Sequence, residues 1–207
     1  MKRFFRNNGL SLVLVTLFLA FWAAQSVAGF HVFNDDQLLH AKPSIGYGAY
    51  LASGHFWQAT SENWESEFLQ MGFYVILTTF LFQKGSAESN DPDDAEEVSR
   101  KRGRGKQGTW LYRNSLSLAF LLLFLLSFVI HAFGGLKDVN QERGEHGQTL
   151  ETIGELVSSS EFWFQSCQNW QSECLAVLSI VVLSIFLRQA GSPESKEVEE
   201  PAAKTGG

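Results

Sequence analysis

None of the local signatures that fix a chemistry occurs in these 207 residues: there is no glycine loop for phosphate, nucleophile elbow, zinc-binding helix or dinucleotide fingerprint. A catalytic constellation is therefore not expected, and no cofactor or metal is called for. Cysteine is scarce. Cys167 and Cys174 are seven positions apart, so on one helix they share a face but stand too far apart along the axis for a disulfide. They read as small packing residues, ahead of a redox role. Charge is missing over long stretches: residues 9–30 carry none, and residues 115–136 have only His131 as a titratable group.

A mean hydropathy near zero hides this segregation. Apolar residues gather into four blocks, while Asp, Glu, Lys and Arg fall almost wholly between them. Blocks 9–30 and 115–136 are long enough for a hydrocarbon core of about 30 Å at about 1.5 Å per residue. Blocks 68–82 and 174–187 are shorter, and reach spanning length when extended back through Trp64 and Trp170, whose rings suit the headgroup level. The expected fold is all-α, an integral membrane protein with four transmembrane helices, at about 9–30, 64–83, 114–136 and 170–189.

A shift of 106 residues aligns 8–89 with 114–195 without a gap, about a third of the pairs being identical. Matched leucines mean little, but polar matches mean more. Asn63-Trp64-Glu65-Ser66-Glu67 returns as Asn169-Trp170-Gln171-Ser172-Glu173, and Phe56-Trp57 as Phe162-Trp163. Gln83, Gly85, Ser86, Glu88 and Ser89 return as Gln189, Gly191, Ser192, Glu194 and Ser195. The chain thus reads as a tandem duplication of a two-helix hairpin, 8–89 and 114–195, joined by a charged linker, 90–113, and followed by a disordered tail, 196–207. Lys2, Arg3 and Arg6 before an apolar run ending near Ala28 also fit a cleaved signal peptide. The internal counterpart of that run favours a retained span.

Lys and Arg number three in the N-terminal tail, seven from Lys84 to Arg113 and three in the C-terminal tail, against one and two in the hairpin connections. By the positive-inside rule both termini and the linker are cytoplasmic. The acidic run from Asp91 to Glu97 and the basic run from Arg100 to Lys106 leave the linker little to pack and point to disorder. The basic run reads as a topology determinant lying on its own membrane rather than a nucleic-acid site, so no nucleic-acid partner is expected. In the hairpin connections, 44–51 and 150–157 mix apolar, glycine and polar residues behind Ser or Thr, as short surface helices do.

With its tandem F-W…N-W-x-S-E and Q-x-G-S-x-E-S motifs, the chain resembles a family of uncharacterised bacterial membrane proteins, domain of unknown function 6766, over about residues 8–195. The resemblance implies a bacterial inner (plasma) membrane and no particular activity.

The candidate functional residues are those repeated where a span meets the outer surface: Trp57, Asn63, Trp64 and Glu67, and Trp163, Asn169, Trp170 and Glu173. Asn63 and Glu67 are four apart on one helix face, as are Asn169 and Glu173. Ionisable groups at membrane depth tend to face a bundle interior or wet cavity, which makes Glu67 and Glu173 candidates for an ion or proton site. A wetted carboxylate near a helix N-terminus is the plainer alternative. His40 and His146 coincide in the repeat, but their spacing matches no compact ligand set. His131, where the first copy has Gln25, reads as a hydrogen-bonded residue between helices.

The repeated residues are mainly aromatic anchors, caps and small polar contacts. They favour a noncatalytic structural or interaction protein whose partners are the bilayer and a second copy or another membrane protein. The alternative is a small oligomeric ion or proton channel or transporter using the paired carboxylates.

Overall fold

The computed structural model of the chain describes residues 2–104 and 108–206. Among them every regular element is helical: α1 (Lys2–Leu39), α2 (Tyr47–Leu51), α3 (Gly54–Phe80), α4 (Ala95–Arg104), α5 (Trp110–Arg113), α6 (Ser115–Glu145), α7 (Ile153–Ser158) and α8 (Ser160–Phe186). Three helices, α1, α6 and α8, are long and apolar enough to cross a membrane. At 31 residues α6 is about 46 Å long, well beyond a hydrocarbon core of about 30 Å. Leucine and phenylalanine side chains along them face outward, Leu10 and Phe21 being 76% and 70% exposed. Such continuous apolar surface is far larger than an aqueous monomer tolerates. These helices are those of a chain able to span a membrane, consistent with a membrane protein.

The helix boundaries have local causes. Short helices α2 and α7 fall in the two segments expected to form them. Thr152 and Glu155 form a capping box at the start of α7, and Ser159 Oγ accepts the Phe162 N–H, 3.2 Å, at the start of α8. Asn34 and Asn140 each clamp the chain after a long helix. Asn34 accepts the Ile45 N–H at 2.7 Å and donates to its carbonyl at 3.1 Å, and Asn140 does the same with Glu151 at 2.6 and 2.9 Å. In the linker, Pro92–Asp94 forms a 3-10 turn capped by Asp91, and α4 follows. Gly105 to Gln107, the end of the basic run, lie outside the described residues.

Two compact units emerge, residues 1–59 with 133–151, and residues 60–132 with 152–207; α3 and α6 supply residues to both. In the first, Phe33, Tyr50 and Phe56 form a buried aromatic core, with Trp22, Phe30 and Trp57 packed on it. Gly29 has no room for a side chain, because a Cβ there would overlap the Tyr50 hydroxyl. Gly54 and Gly134 allow α3 and α6 to touch backbone to backbone, a Cβ on Gly134 falling 2.8 Å from the Gln58 nitrogen.

In the second unit the C-terminal segment folds back on the ends of α3 and α8. Residues 196–206 carry no helix, in keeping with their composition, yet hydrogen bonds hold them where disorder was expected. Lys196, 1% exposed, donates to the carbonyls of Gly85, Lys204, Ala202 and Ile185 at 2.5, 2.9, 3.1 and 3.4 Å. Burial and the neighbouring Arg188 charge lower the Lys196 pKa. The Gly85 N–H donates to Thr205 Oγ1 and the Gly206 N–H to the Ser86 carbonyl, each at 2.9 Å.

Candidate functional site

The second unit buries one carboxylate completely. Glu65, 0% exposed on α3, places Oε2 2.8 Å from Nδ1 of His131, itself 0% exposed on α6. The other oxygen, Oε1, accepts the indole N–H of Trp170 from α8 at 3.1 Å. Phe162, one helical repeat of eight residues before Trp170, stacks on the His131 ring with centroids 4.7 Å apart. Helical spacing explains the convergence. Ser127 and His131 are four apart on α6, and Phe162, Ser166 and Trp170 are four apart on α8, so each set shares a face. A carboxyl group taken out of water is costly, and both its oxygens meet hydrogen-bonding partners here.

The surroundings are polar and closed. Thr60, Ser61, Ser66, Ser127 and Ser166 are all buried in this unit. His131 Nε2, Thr60 Oγ1 and Ser166 Oγ are buried atoms that meet no hydrogen-bond partner among the described residues. Ser166 lies between the two α8 residues that touch the pair, Phe162 and Trp170. Thr60 and Ser166 are 106 positions apart and thus occupy matching places in the two copies.

This arrangement can pass a proton. The hydrogen bond joins Glu65 Oε2 and His131 Nδ1, and the other ring nitrogen, Nε2, meets no partner among the described residues. An imidazole can in general accept a proton at one ring nitrogen and release one from the other, which is the chemistry such a pair offers.

The residues singled out from the repeat surround this pair more than they form it. Trp170 is the donor to Glu65, and Asn169 Nδ2 donates to Glu62 Oε1 at 2.5 Å. Trp163 packs edge-on against Phe162 and Trp170, at 5.9 and 6.0 Å, and donates its indole N–H to the Val157 carbonyl at 2.8 Å. Trp57, in the first unit, meets Phe56 edge-on at 5.5 Å. Glu67 and Asn63 are exposed, and Trp64 and Glu173 half-buried. The Asn63 and Asn169 carbonyls accept from Ser66 Oγ and Ser172 Oγ, and the Glu173 carbonyl from Gln70, all at 2.8 Å. His40 and His146 each hold Nδ1 against the carbonyl four residues earlier, at 2.9 and 2.8 Å. No group of three His, Cys, Asp or Glu suited to a metal occurs among the described residues. Glu65 itself was missed, although the sequence carries a signal for it: the pair stands where the other copy has Gln171 and Gln25, so both charged positions are neutral together in the opposite copy.

At the opposite end of α3, the Tyr74 hydroxyl donates to Glu88, and Ser86 Oγ lies 3.0 Å from Ser184 Oγ. Burial pushes the Glu88 pKa above the ordinary carboxylate range, with further upward effects from Glu194.

The sequence profile of a family described as Domain of unknown function (DUF6766) matches residues 1–207. No curated protein and no solved structure matches the chain significantly.

Proposed function

Because the chain belongs to the family of domain of unknown function 6766, its role must be read from its own side chains, and we propose that it carries protons across a membrane through Glu65 and His131. The observation behind this reading is the wholly buried pair whose imidazole Nε2 meets no hydrogen-bond partner among the described residues. A pair serving only to hold helices together gains most when every buried polar atom is satisfied. Open positions on the imidazole and nearby hydroxyls instead suit a site that a proton or water visits. The reading of the protein as a purely structural or interaction partner has no such observation in its favour.

The protein in this proposal is a four-span bundle of two repeated hairpins, with α3 as the fourth span. At 27 residues α3 matches α8 in length, and its ends, Gly54 and Phe80, precede Ser160 and Phe186 by 106 positions each. Duplication is further supported by shared hydrogen bonds: Gln83 N–H to Ser89 Oγ recurs as Gln189 N–H to Ser195 Oγ, at 2.8 and 2.9 Å. The Asn34 and Asn140 clamps recur in the same way. The Lys and Arg distribution places the termini in the cytoplasm, which puts the pair towards the outer side of a bacterial inner membrane. Four spans make a thin bundle, and a homo-oligomer would complete its walls.

The test is proton flux into liposomes holding the purified protein, under an imposed pH gradient. Glu65→Gln should abolish flux, while Glu67→Gln with Glu173→Gln should leave most of it. Loss only in the latter variant would move the site to the interfacial carboxylates.

A further inference from the structure

The second unit also carries an open groove of about 860 Å3 between α3 and the α5–α6 segment, independent of the Glu65–His131 pair. Along α3 it runs from Phe68 to Phe80, and along α6 from Leu116 to Phe124. Twelve residues of helix make about 18 Å, close to the roughly 15 Å depth of one leaflet's hydrocarbon. Its two ends differ chemically. Phe68 and Phe124 close one end, whereas Arg113, Asn114 and Trp110 stand at the other, with Arg113 the sole charged residue in the lining. At Gly72 the two helices come close, a Cβ there meeting Phe120 Cβ at 3.4 Å.

We propose that this groove binds one anionic phospholipid, an acyl chain lying along α3 and α6 and the phosphate at Arg113. Depth and charge commit the occupant. The groove's length matches the depth of one leaflet, and in this assignment its apolar end takes the ends of that leaflet's chains and its cation the headgroup. A guanidinium pairs with phosphate oxygens through two N–H donors, and Trp110, 67% exposed, is of the type that settles among headgroups. The basic run beginning at Arg100 precedes the site in sequence and adds to the attraction for anionic lipid. In the other copy, Gly72 and Arg113 correspond to Leu178 and Asn7, so neither the small residue nor the cation recurs and the chain should hold one such lipid.

Native mass spectrometry of the full chain in detergent, with phosphatidylglycerol or phosphatidylcholine of identical acyl chains, tests this directly. One phosphatidylglycerol should bind with about fivefold preference, the effect of one basic residue near an anionic surface. Arg113→Gln should erase the preference, and Ser117→Phe, which fills the groove, should remove the bound lipid while the protein's melting temperature is retained. Inorganic phosphate should not compete. Equal retention of both lipids by the natural chain, undiminished preference in Arg113→Gln, or a lipid-free dimer would each overturn the assignment.

Discussion

Glu65 Oε2 and His131 Nδ1 lie 2.8 Å apart, and neither side chain reaches the surface. Breaking such a pair from one side leaves the other partner polar and unmatched, at a cost of about 3 kcal/mol. Glu65→Gln or His131→Leu should therefore lower stability by about that much. The double variant Glu65→Gln, His131→Gln puts at both positions the residue types that the other copy has as Gln171 and Gln25, and removes the two ionisable groups together. It should be more stable than the two single effects sum to. A double-mutant cycle on unfolding, read by circular dichroism in detergent, measures this coupling, and strict additivity would refute it.

Lys196 organises the C-terminal segment through four carbonyl oxygens. Lys196→Met keeps much of the side-chain volume but leaves those oxygens without their donor, which costs about 2 kcal/mol. Hydrogen exchange should show residues 196–206 losing protection in this variant while α6 keeps it. Unchanged exchange in the segment would count against the docked arrangement.

The raised pKa of Glu88 sets a pH dependence with a definite sign. A carboxyl whose folded pKa lies above its ordinary value of 4.5 binds protons more tightly in the folded chain, so its contribution is full below that value and is lost as pH rises through the raised one. The melting temperature of the natural chain relative to Glu88→Gln should thus fall as pH increases from about 4 to about 8. A difference that grows with pH would contradict the assignment.

Close contact between α3 and α6 at Gly54 and Gly134 leaves no space for a side chain. Gly134→Leu forces these backbones apart and should destabilise the protein by about 3 kcal/mol, the upper part of the overpacking range. Gly147→Ala makes a useful contrast, since no atom lies within 4 Å of a Cβ there and only its positive φ of 63° resists substitution. Thermal unfolding of the two variants should separate these effects, Gly134→Leu losing more.

Much of the architecture was legible because a bilayer sorts residues coarsely. Uncharged runs such as 9–30 and 115–136 lie within α1 and α6, and the Thr152 and Ser159 caps mark where α7 and α8 begin. The α6 helix continues to Glu145, past the apolar run, because polar residues such as Asp138 and Glu142 are themselves compatible with helix. The buried pair was hidden by the reasoning that repeated residues matter most. Repetition picked out Glu67 and Glu173, one exposed and the other half-buried, whereas Glu65 and His131 depend on a partner 66 positions away and on being different from Gln171 and Gln25. Lys196 was equally hidden. Its surroundings look like a solvated tail in sequence, and only folding back supplies the carbonyls that bury it.

The most direct test of the account is proton flux through the Glu65→Gln, His131→Gln double variant beside the natural chain, reconstituted at equal density after both are shown to be folded. Since both proteins are compared only after they are shown to be folded, loss of flux cannot be ascribed to unfolding. The account predicts a proton flux in the natural chain and none in the variant; equal flux through both would contradict it.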